Sequence, residues 1–74
     1  MVKTLKGEEV RRVQVYLLQA RKEAGLTQSE LAKKIGISEV AYRQKEQGKR
    51  DFKLNECYKI AKIFKKDIGD LFTK

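Results

Sequence analysis

The chain has 74 residues, 38% of them charged and none of them proline, which leaves room for one small domain and suits helices with a wet surface better than a β-sandwich full of turns. Lysine and arginine outnumber aspartate and glutamate 18 to 10, a formal charge of +8 that favours a polyanionic partner without separating DNA from RNA or an anionic membrane. The absence of histidine and the single cysteine, Cys57, exclude an internal disulfide, the usual zinc spacings and the commonest general base, and no apolar run is long enough to span a membrane.

Residues 1–7 carry Lys3 and Lys6, end at Gly7 and lack the apolar core of a secretory signal, so a cytoplasmic location is expected. They read as a flexible basic arm, either simply frayed or reaching neighbouring phosphates or a minor groove. Residues 8–74 read as a single domain. Val10, Val13, Leu17, Ala20 and Ala24 recur at steps of three and four, which predicts a first helix from Glu8 to about Ala24 with Gly25 as its stop. Glu8 and Glu9 would sit in its first turn, where the helix dipole favours anions. Arg21 falls at the edge of the apolar stripe, where a charge needs a partner. Val15 and Leu18 lie off the stripe and read either as scattered surface apolars or as part of a dimer contact, which would use Leu18, Val15 or the C-terminal aromatic residues.

Thr27 followed by Glu30 is a capping box, and Leu31, Ala32 and Ile35 then share one face of a short second helix. Gly36 stands where a helix closes through a left-handed residue. After Ile37 in the turn, Ser38 is an N-cap for a third helix, about Glu39 to Gln47. At 100° per residue, Ala41, Tyr42, Lys45 and Glu46 share one side of it, and Glu39, Val40, Arg43, Gln44 and Gln47 share the other, which is polar but for one valine. A capped helix, a glycine turn and a second helix within about twenty residues is the layout of a helix-turn-helix, here over residues 27–47.

Gly48-Lys49-Arg50-Asp51 follows as a helix stop and a basic loop, either solvated charge or, from its place beyond the third helix, a clamp on phosphates. Leu54, Cys57, Tyr58, Ala61 and Phe64 repeat at helical spacing and predict a fourth helix to about Phe64, with Cys57 as a small core residue. Asp67 can cap a last short helix bearing Ile68, Leu71 and Phe72.

The stretch Arg21 to Leu71 resembles the Xre or lambda-repressor-like helix-turn-helix family. The resemblance is carried by Arg21, Gly25-Leu26-Thr27-Gln28-Ser29-Glu30-Leu31-Ala32, Ile35-Gly36-Ile37-Ser38, Glu46-Gln47-Gly48-Lys49-Arg50 and Ile60-Ala61, and with Val13 and Leu17 it covers about four fifths of the chain in one register. It implies an all-α, compact five-helix DNA-binding domain with the helix-turn-helix at helices two and three. It also implies a buried ion pair between Arg21 and Glu46 that braces the first helix against the recognition helix.

By family position, Gln44 would pair with adenine, Arg43 with guanine or a phosphate and Val40 with a thymine methyl, while Glu39 would accept from cytosine N4 or repel a wrongly placed phosphate. Gln28, Ser38, Gln47, Lys49 and Arg50 would contact the DNA backbone. Three positions depart from the family pattern. Lys45 replaces a large apolar residue, so its stem must pack beneath the helix while the ammonium snorkels out, or leave a gap. Tyr42 replaces an aliphatic residue, its ring filling that gap and its hydroxyl seeking a polar partner. Phe52 replaces a frequent proline and leaves the loop less rigid.

The function implied is a sequence-specific, double-stranded DNA-binding transcriptional regulator, a repressor of bacterial or phage type. It would act as a homodimer on a near-palindromic operator, with no cofactor, metal, membrane contact or small-molecule effector. The rival is an antitoxin or protein-interaction adaptor on the same fold. An enzyme is not supported, since no nucleophile stands beside a base.

Overall fold

The computed structural model describes residues 13–72, and the expectations for the basic arm and for Glu8, Glu9 and Val10 lie outside them. The described residues form five helices and no strand: α1 (Val15–Glu23), α2 (Gln28–Ile35), α3 (Glu39–Glu46), α4 (Leu54–Phe64) and α5 (Ile68–Leu71). The all-α fold is the one the sequence implies.

The middle helices are closed by local atoms. Thr27 Oγ1 accepts the Glu30 amide at 3.0 Å, and the Glu30 carboxylate accepts the Thr27 amide at 2.8 Å. Gly36, at φ +81°, ends α2 in the left-handed conformation, and Ile37 N–H folds back onto the Ala32 carbonyl at 3.0 Å. Ser38 Oγ then accepts the Ala41 amide at 3.0 Å and starts α3.

Leu17, Ala20, Leu31, Ala32, Ile35, Tyr42, Ile60 and Leu71 form the core. Around it α2 packs on α3, α5 bridges α1 and α4, and α2 also meets α4. The Tyr42, Phe52 and Phe72 rings meet edge-on, with centroids 5.9 Å and 5.2 Å apart. Phe52 is therefore an aromatic wedge that fastens the loop before α4 to Tyr42 of α3 and to Phe72 after α5.

Two predicted elements are corrected. Val13 and Gln14 are not helical, so α1 starts at Val15. The Gln14 amide is drawn instead to the Glu46 carbonyl at 2.9 Å, which brings the chain in across the end of α3 and leaves Val13 39% exposed. In α4 the apolar stripe is rotated from the predicted one. Leu54 and Tyr58 face outward, while Glu56 and Ile60 are buried. Glu56 turns inward because two donors meet it there, the Lys53 amide and the Lys45 ammonium.

Candidate nucleic-acid interface

The interface is built outward from one buried carboxylate. Glu46 Oε2 accepts Arg21 Nε at 2.9 Å and the Tyr42 hydroxyl at 2.6 Å. Its Oε1 accepts Gln28 Nε2 at 2.8 Å and Arg21 Nη2 at 3.3 Å. Arg21 spends its remaining Nη1 donor on the Leu26 carbonyl at 2.9 Å. One side chain of α3 thus holds α1 and the start of α2.

Burial by itself would raise the Glu46 pKa, but hydrogen bonds from Arg21, Tyr42 and Gln28 outweigh it and hold the carboxyl below the ordinary range. Burial, then the hydrogen bond to Glu46 and its charge, push the Tyr42 hydroxyl far up, so it remains a donor. Burial also opposes the Arg21 charge, and the bond to Glu46 more than restores it.

A second buried pair fixes the other flank of α3. Lys45 Nζ donates to both Glu56 oxygens, at 2.7 and 2.8 Å, with 4% and 6% of the two side chains exposed. Lys45 therefore neither snorkels nor leaves a gap, because an anion in α4 receives it. Burial would raise the Glu56 pKa, but bonds from Lys45 and the Lys53 amide bring it below the ordinary carboxylate range. Glu56 was not singled out in the sequence. Its signal was there, a glutamate three residues after Lys53, spaced as Glu30 is after Thr27, together with a lysine on the inward side of α3 that needed an anion. Among the described residues no buried side-chain nitrogen or oxygen lacks a hydrogen-bond partner.

With Tyr42, Lys45 and Glu46 turned inward, α3 presents Glu39, Val40, Arg43 and Gln44 on its other side. Val40 is 54% exposed, an apolar side chain in water on an otherwise polar strip. Arg43 Nη2 reaches Glu39 Oε2 at 3.3 Å along the helix, an exposed pair that offers little resistance to a partner. Gly48, at φ +84°, turns the chain back, so that the Lys49 and Arg50 amides both donate to the Gln44 carbonyl, at 2.8 and 3.4 Å. Arg50 Nη1 also meets Gln44 Oε1 at 3.3 Å. The loop cations and the outward face of α3 therefore form one surface around Gln44.

Ser38, half-buried Gln47 and exposed Lys49 and Arg50 lie at the two ends of α3. Gln28, half-buried at the start of α2, donates its amide nitrogen to Glu46. Cys57 is half-buried, and desolvation raises its pKa, which suppresses the thiolate. No helix among the described residues is long and apolar enough to cross a membrane.

This arrangement has known counterparts. A family model described as helix-turn-helix matches residues 17–71. An uncharacterized HTH-type transcriptional regulator of Archaeoglobus fulgidus is 44% identical over 52 residues, which span 70% of this chain and 74% of that protein. An uncharacterized HTH-type transcriptional regulator of Methanocaldococcus jannaschii is 47% identical over 47 residues, 64% of this chain and 71% of that one. Both relatives are archaeal, so they lend no support to the bacterial or phage type expected from the sequence. The braced α2 and α3, the glycine turn between them and the extent of the match together establish that the chain belongs to the Xre or lambda-repressor-like helix-turn-helix family.

Proposed function

We propose that the chain is a transcriptional regulator that binds double-stranded DNA selectively, with α3 lying in the major groove. The observation that carries this reading is the outward face of a helix capped at Ser38 and braced from behind through Glu46, with Glu39, Val40, Arg43 and Gln44 turned to solvent beside the Lys49-Arg50 loop. The names of the two archaeal relatives support the same reading. In it, Gln44 pairs with adenine N6 and N7, Arg43 reaches guanine or a phosphate, Val40 meets a thymine methyl and Glu39 accepts from cytosine N4. Lys49 and Arg50 neutralise phosphates past the C-terminal end of α3, and Gln47, Ser38 at its start and Gln28 at the amino end of α2 add further backbone contacts. Two copies on a near-palindromic operator would set their recognition helices about 34 Å apart in successive grooves, and occupancy of a promoter would repress it.

The test is selection of bound sequences from a random duplex pool near physiological salt, followed by gel shift of the recovered sites. An inverted repeat with half-site centres one helical turn apart is the expected result. Binding without enrichment, lost on modest addition of salt, would replace the reading with that of an adaptor or antitoxin that needs a protein partner.

A further inference from the structure

Lys45 and Glu56 are buried at opposite ends of the loop that carries Lys49 and Arg50. At one end the Gln44 carbonyl receives the Lys49 and Arg50 amides, at 2.8 and 3.4 Å. At the other, Glu56 Oε1 accepts the Lys53 amide at 2.8 Å, and both its oxygens receive the Lys45 ammonium, at 2.7 and 2.8 Å. The loop is thus pinned to α3 through Gln44 and pinned back to α3 through α4.

An apolar pair could pack α3 on α4 about as well, since buried ion pairs add little net stability over well-packed hydrophobic residues. What an apolar pair lacks is direction. Two charge-assisted bonds from one buried ammonium tie the last turn of α3 to the first turn of α4, and separating them would strand both charges, whereas an apolar contact tolerates sliding. Lys49 and Arg50 are exposed, and their main-chain bonds hold the loop at Gln44 alone. Beyond Gln44 the loop is held by Phe52 against Tyr42 and by the start of α4, so the placement of α4 is one of the contacts that set where the two cations lie.

We infer that Lys45 and Glu56 are positioning residues for DNA binding, a buried latch that holds the Lys49-Arg50 loop where its cations meet phosphates. Neither side chain touches DNA. The inference rests on the DNA-binding reading above, and part of its test is independent of that reading.

The variant is Lys45→Met with Glu56→Gln, which removes both charges together and keeps an acceptor for the Lys53 amide. Lys45→Leu with Glu56→Gln serves the same test should the first not fold. Helical circular dichroism and Tm establish that the variant is folded. Hydrogen exchange on the free protein should then speed up about tenfold or more at the Lys49 and Arg50 amides, with the Leu31 amide unchanged. On a selected operator, affinity should fall and the slope of log K against log salt should shrink by about 2, the loss of two phosphate contacts, with the preference at the base under Gln44 kept. Unchanged exchange at Lys49 and Arg50 in a folded variant overturns the latch. Faster exchange with an unchanged salt slope overturns its role in positioning. Should the unsubstituted chain bind no duplex selectively, the functional reading fails, and exchange still decides whether the latch exists.

Discussion

Glu46 shows how much of this fold rests on single side chains. Its two oxygens serve Arg21, Tyr42 and Gln28, and its main-chain carbonyl receives Gln14. Replacing Arg21 by Met leaves a buried carboxylate without its cation, and the expected loss is on the order of 3 to 5 kcal/mol. Adding Glu46→Met should cost little more, because the charge that was stranded is gone. Urea unfolding of the two single variants and the double closes the cycle, and simple additivity would contradict the coupling.

The same residue sets the response to acid. The folded Glu46 carboxyl is held below its ordinary value of 4.5, so its contribution is complete above that pH and disappears as pH falls through the folded value. Stability should thus decline in acid, with Glu56 acting in the same direction. In Glu46→Gln the decline between pH 7 and pH 3 should be shallower, starting from a less stable protein. Urea midpoints at the two pH values would settle this.

At the scale of elements, helix ends carry the measurable consequences. Lys65 closes α4 in the left-handed conformation, at φ +56°, where a side chain is strained and glycine is not. It is exposed, so Lys65→Gly should raise stability by roughly 1 kcal/mol, the usual left-handed penalty. An unchanged urea midpoint would mean that the lysine contributes something the backbone argument omits.

The proposed DNA contacts of α3 and its loop give a second contrast. Gln44→Ala should relax preference at one base position by about 1 to 3 kcal/mol, whereas Lys49→Ala should weaken all sequences alike and lower the salt slope by about one. Titrations on matched and mismatched duplexes at several salt concentrations distinguish the two, and identical profiles would mean that the roles are wrongly assigned.

What was legible in the sequence follows the range of the interactions. The Thr27 box, the Gly36 turn and the Ser38 cap are each completed by atoms within a few residues, so residue type and spacing reveal them. The outward strip of α3 follows likewise from its angular step and its polarity. The start of α1 and the phase of α4 are set from elsewhere, by Gln14 meeting Glu46 and by Lys45 meeting Glu56. Periodicity counts apolar residues on a face. It cannot place Glu56 inside when the charge that makes this tolerable sits on another helix. The bond from Gln28 to Glu46, across 18 residues, is hidden from periodicity for the same reason.

At the scale of the whole molecule, the proposed homodimer constrains both operator and surface. Two copies related by a twofold axis must meet the same face of the duplex, so half-sites one helical turn apart should bind cooperatively. Inserting about 5 base pairs between them turns one half-site to the far side, and affinity should fall toward that of a single half-site. Adding about 10 should return the sites to one face, at a separation that the protein contact cannot span. That contact needs apolar surface, and Val15, 52% exposed, lines a shallow groove on α1 with Leu18, Gln19, Lys22 and Glu23. This groove is a better candidate than the outer side of α4, because in the groove Glu23 stands beside Lys22 and can meet it across the axis, whereas Tyr58 is flanked by Lys59 and Lys62 alone. Leu18→Glu should therefore abolish cooperativity on the natural spacing and leave binding to an isolated half-site intact. Val15→Glu should act in the same direction. Gel shifts on one-site and two-site duplexes, read beside sedimentation of the free protein, give the answer. Undiminished cooperativity in both variants would move the dimer contact away from α1, and the same loss on one-site and two-site duplexes would mean that the substitutions had damaged the fold.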